Sequence, residues 1–107
     1  KSTKEAMAIL DINPDREGHT LIIPKKHHDD IATVDPKTLK EMVFLAQWVV
    51  QKLRTKFGQE DIHIESWNGG AVQNPRHFHI HVCAEYGPSV PKLDEEYFLN
   101  TKKKFLS

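Results

Sequence analysis

Three histidines, His77, His79 and His81, alternate with Phe78, Ile80 and Val82. Unperturbed imidazole titrates at about pH 6.5, so such a row holds neutral and protonated members side by side near neutrality. A neutral ring with one nitrogen held in a hydrogen bond presents the other as a nucleophile, while charged neighbours stabilise phosphate oxygens. In an extended strand, at about 3.3 Å per residue, the outer two Cα atoms stand about 13 Å apart. One metal ion does not reach all three at that spacing, although two rings and a distant third ligand would suit a tetrahedral zinc. Three solvated histidines on an exposed strand are the plainer alternative that spacing alone leaves open.

The elements that must position this row are legible in outline. Arg76 to Glu85 alternates strictly and predicts a strand with Phe78, Ile80 and Val82 toward the core and the three histidines on the opposite face. Asp61 to Trp67 alternates as well and ends at the turn signal Asn68-Gly69-Gly70. Ala6 to Ile12 and His19 to Pro24 form a hairpin across a turn rich in Asn, Pro, Asp and Gly. Lys25 to Val34 reads as a polar connection with one helical turn.

Asp35-Pro36 is a helix start, since aspartate caps free amides and proline at the first helical position gives up a donor that had no partner. The helix is expected to end near Phe57, before Gly58, with Lys52, Arg54 and Lys56 suiting the carbonyl end of its dipole. Its apolar positions, including Met42, Val43, Phe44, Trp48 and Val49, spread beyond one stripe. Such a helix asks for two partners, its own sheet and a second chain, or else for deep burial. The tail beyond Tyr86, with Asp94-Glu95-Glu96 and Lys102-Lys103-Lys104, reads as a loosely structured extension.

Composition bounds the reading. At 107 residues the chain fits one domain, with a core over about 6–86 and an extension over 87–107. With 38% apolar and 28% charged residues it should fold. Fifteen basic residues balance fifteen acidic ones, which argues against a nucleic-acid coat. The uncharged apolar stretch Met42–Val50 falls well short of the roughly 20 residues of a membrane helix. One cysteine, Cys83, forms no internal disulfide, and cytoplasm is the expected compartment.

The run His77-Phe78-His79-Ile80-His81-Val82-Cys83 resembles the signature of the histidine triad (HIT) family. Leu10-Asp11-Ile12-Asn13-Pro14, Gly18-His19 through His27, and Asn68 with Gln73 accompany it in family order, so the likeness covers about Ala6 to Tyr86. The resemblance implies an α+β fold of about five antiparallel strands with one long helix and short helical turns, paired as a two-fold homodimer. The leading strand of that sheet is expected to be missing here.

It further implies that His79 attacks the α-phosphorus of an adenosine-type nucleotide to form a nucleotidyl-imidazole. His81 and His77 would hold phosphate oxygens, with His19 reaching in from the neighbouring strand. Asp11 would accept ribose hydroxyls, Ile12 would press on the base, and Asn68, Gln73 and Asn74 would contact nucleotide or phosphate. No cofactor or metal is implied. The expected activity is hydrolysis of phosphoramidate or AMP-linked purine nucleotides, with dinucleoside polyphosphate hydrolysis or a catalytically weak nucleotide-binding scaffold as alternatives. Ala71-Val72-Gln73-Asn74-Pro75-Arg76 departs from the family's usual Ala-Gly-Gln loop, and the tail lacks the tryptophan-proline ending of the phosphoramidate branch.

Overall fold

The computed structural model describes residues 1–73, 75–90 and 94–107. Strands β1 (Ala6–Leu10) and β2 (Thr20–Pro24) precede a short 3-10 turn (Ile31–Thr33) and helix α1 (Pro36–Phe57). Strands β3 (Ile62–Glu65) and β4 (Ile80–Ala84) follow, and helix α2 (Glu95–Leu106) closes the chain. All pairings are antiparallel, in the order β1-β2-β4-β3.

The α+β class is as expected, but the sheet has four strands among the described residues rather than about five. The opening residues fold back along β1, with a single bridge between Ser2 and Met7. The ladder containing the histidines is also shorter than the alternation suggests. Continuing the β2–β4 register would set Phe78 opposite Pro24, which has no N–H. Phe78 N donates instead to His28 O at 2.7 Å, so His77 and His79 lie just ahead of β4 and only His81 is within it.

Helix α1 begins and ends where its sequence signals place it. Asp35 accepts from Thr38 N at 3.1 Å, Pro36 occupies the first turn, and Gly58 takes the left-handed conformation (φ 67°) while its N–H reaches Leu53 O. Met42, Leu45, Ala46, Val49 and Leu53 pack with Ala6, Ala8, Ile22, Phe78 and Val82 from one face of the sheet. This fixes the other face, which carries the histidines. Part of the second apolar side of α1 is covered by the chain itself, since Trp48 stacks on Phe105 at 5.8 Å, while Val43 and Phe44 stay exposed.

Of the extension expected to be loose, Glu95–Leu106 is an ordered helix. Asp94 caps α2 by accepting from Tyr97 N at 3.2 Å, Glu95 and Glu96 occupy its first turn, and Lys103 and Lys104 its last. The charge runs are the two ends of a helix dipole satisfied by opposite signs. Phe105 also meets Phe57 at 4.8 Å, and Tyr97 Oη accepts from Gly18 N at 2.8 Å.

Candidate active site

The face away from α1 gathers residues from three strands. Asp11 follows β1 directly, His19 precedes β2, and Asp11 N donates to His19 O at 3.0 Å, which holds the two side by side. Opposite Leu21, β4 presents His81, whose ring lies 5.2 Å from that of His19 and 4.9 Å from that of His79. His19 and His79 are buried, at 3% and 7% exposure.

Hydrogen bonds fix most of the tautomers. Asp15 N donates to His19 Nδ1 at 3.1 Å, so the neutral ring carries its proton on Nε2. That Nε2–H faces His81 Nδ1 at 2.9 Å and Asp11 Oδ2 at 3.3 Å. His81 therefore accepts at Nδ1 and keeps its proton on Nε2. His79 Nδ1–H donates to the His77 carbonyl at 2.7 Å, which leaves the lone pair on Nε2. The result is one ring that presents a nucleophilic nitrogen beside another that presents a donor.

Electrostatics reinforce this pattern. Burial lowers the His19 pKa below the ordinary histidine value, against the opposing pull of Asp11 and Asp15. Burial also lowers that of His81, helped by the neighbouring His19 and His79. Both rings stay neutral at pH 7. Asp11, His19 and His81 together offer three donor atoms at metal-like spacing, within 4.8 Å of one another. The proton on His19 Nε2 points into that space, however, and moving it to Nδ1 would set it against the Asp15 N–H. The cluster is thus built as a hydrogen-bond relay.

The remaining candidates divide. The ring of His77 leaves the row: its Nε2–H donates to Pro24 O at 3.2 Å, its edge meets His27 at 4.9 Å, and its carbonyl is what holds His79. Ile12 stands exposed next to Asp11. Asn68 is occupied elsewhere, accepting from Ile31 N at 2.8 Å and donating to Ser66 Oγ at 3.1 Å. Gln73 is buried, accepts from Gly69 N at 3.0 Å and donates to Asp29 O at 2.7 Å, so it braces the loop. Asn74 lies outside the described residues.

Two participants escaped the sequence reading. The Asp15 amide is a backbone group and leaves no trace in residue type. Trp67, whose ring sits edge-on to His81 at 5.6 Å, was legible only as the end of a strand.

Fold and site together define a class of α+β protein in which an antiparallel sheet, backed by one long helix, links imidazoles from adjacent strands. The family model described as HIT domain matches residues 2–87, most of the chain. An uncharacterized HIT-like protein of Mycoplasma genitalium is 35% identical over 94% of this chain and 80% of its own length. The adenosine 5'-monophosphoramidase hnt1 of Schizosaccharomyces pombe is 32% identical over 91% of this chain and 65% of its own. The crystal structure of a HIT-like protein involved in cell-cycle regulation from Bartonella henselae superposes with a TM-score of 0.84 at 25% identity, covering 98% of this chain and 81% of that one. Against other curated relatives the chain spans little more than half their length, 54% for a HIT-like protein of Mycobacterium tuberculosis. The chain belongs to the HIT family.

Proposed function

We propose that the protein hydrolyses AMP-linked nucleotides at the α-phosphate, with His79 as nucleophile. The observation that carries this reading is the bond from His79 Nδ1–H to the His77 carbonyl, which leaves the Nε2 lone pair for attack. Nε2 forms a bond to the α-phosphorus, and the P–N or P–O bond opposite breaks with its electron pair on the leaving group, which takes up a proton from the medium. Water then attacks phosphorus, the Nε2–P bond breaks, and AMP and a proton are released. His81 Nε2–H stabilises the phosphate oxygens, and His19 holds His81 in the tautomer that allows it.

Asp11 receives the ribose hydroxyls through Oδ2, its Oδ1 being held by Asn13 N at 2.8 Å, and the exposed Ile12 covers the base. Amine or phosphate leaving groups both fit this chemistry, and the S. pombe relative favours the amine. The loop-bound state of Gln73 favours a second reading, a nucleotide binder with weak turnover. Exposed Val43 and Phe44, together with Ile64 on the outer strand of the sheet, support a homodimer across α1 and β3. A single buried free thiol fits a cytoplasmic setting. No helix among the described residues is long and apolar enough to cross a membrane.

Adenosine 5'-phosphoramidate provides the test. The native chain releases AMP, and His79→Ala loses at least about a thousandfold in rate while retaining nucleotide binding and its circular dichroism spectrum. Turnover that survives in His79→Ala rules the mechanism out, and AMP binding without turnover in the native chain selects the binder.

A further inference from the structure

The strand order β1-β2-β4-β3 lays the histidine face out as a line. Asp11 and Ile12 follow β1 at one end, His79 and His81 stand at β4, and Trp67 comes two residues past β3 at the other end. His81 is the middle of that line. Asp11 Oδ2 lies 3.8 Å from its Nδ1 on the β2 side, and the Trp67 ring meets it from the β3 side at 5.6 Å, nearly perpendicular at 87°.

Trp67 keeps 46% of its surface in solvent although its edge-on contact anchors it beside the half-buried His81 ring. Among the described residues His81 is its only aromatic partner. A large flat apolar surface held open beside a phosphate position is suited to stacking a planar ring, which every aromatic group can offer. Displacement at phosphorus puts the nucleophile and the departing group roughly in line on opposite sides. The departing group therefore leaves on the side of phosphorus away from His79, and with the nucleoside held at the β1 end the β3 side is the one left for its ring.

We propose that Trp67 is a specificity-determining platform on which a planar aromatic leaving group stacks, a proposal that rests on the reading of His79 as nucleophile and Asp11 as the ribose anchor. The ring can belong to an aromatic amine joined through nitrogen or to the base of a second nucleoside joined through phosphates. Both share the flat π-face that the indole selects, and an alkyl amine lacks it.

The turnover arm compares adenosine 5'-phosphoramidates of phenethylamine and propylamine, together with diadenosine triphosphate, on the native chain, Trp67→Ala and Trp67→Phe. Trp67→Ala is expected to lose about tenfold in kcat/KM, mainly through KM, on one or both aromatic substrates and to stay within about twofold on the propyl substrate. Trp67→Phe regains most of that loss. A larger deficit on the phenethyl substrate assigns the amine, and a larger one on diadenosine triphosphate assigns the base. Equal loss on all three substrates, or loss on none, overturns the platform.

The binding arm does not depend on turnover. In the double variant His79→Ala, Trp48→Phe, Trp67 is the sole tryptophan. Excited at 295 nm, its emission is expected to change with the phenethyl compound or diadenosine triphosphate and not with AMP. A response in that variant, alongside a native chain that shows no His79-dependent turnover, leaves the platform standing and removes the hydrolase. Turnover lost in His79→Ala, with neither arm selective for aromatic substrates, does the reverse.

Discussion

His79 and Cys83 sit four residues apart, and their surroundings give them opposite chemistry. The His79 ring is held by one nitrogen so that the other is free to react, whereas burial pushes the Cys83 thiol up to about 11. A thiol reagent at pH 8 is therefore expected to modify Cys83 only as fast as the chain unfolds, and Cys83→Ala to match the native chain in the proposed release of AMP. Prompt labelling in native buffer would contradict this. The relay sets a pH dependence as well. His19 and His81 have folded pKa values below the unfolded one, so on acidification the unfolded chain binds protons first. Stability is thus full above about pH 6.5 and falls as pH drops from there toward the folded values. Thermal melts between pH 7.5 and 5 check this, with a shallower decline expected for His81→Gln. A midpoint that rises on acidification would refute the burial of neutral rings.

At the scale of elements, Gly18 carries more than a turn. It has φ 83°, and a Cβ there would sit 2.5 Å from Leu53 of α1, so Gly18→Ala is expected to destabilise by about 1–3 kcal/mol in urea melts. A neutral result would mean that α1 can give way. The same elements mark how far the sequence could be read. Helix α1 was legible to its ends because Asp35, Pro36 and Gly58 act locally, through the backbone next to them. Helix α2 was not, because its aromatic residues Tyr97 and Phe105 gain meaning only against Gly18, Trp48 and Phe57, far away in sequence. The triad was half legible. Alternation gave His79 and His81 a common face, but the end of the ladder at Pro24, which no periodicity records, turned the His77 ring toward His27. Asn68 and Gln73 were read as nucleotide contacts, but nearby backbone groups claim their side chains, a local demand that residue type does not disclose.

For the whole molecule, the surface left by packing is uneven. Val43 and Phe44 on α1 and Ile64 on an outer strand are each more than half exposed. Light scattering at micromolar concentration is expected to give about twice the 12.3 kDa chain mass, and Phe44→Glu to return it toward one. A native chain that runs as a monomer would remove the pairing. The far end of the molecule holds a different dependence. Tyr97 grips the N–H of Gly18, the neighbour of His19, so the last twelve-residue helix works as a strut beneath the relay. Cutting the chain ahead of Asp94 would leave every histidine in place and is expected to slacken the turn on which their proton arrangement depends, so a segment far along the chain still has a hold on the rings.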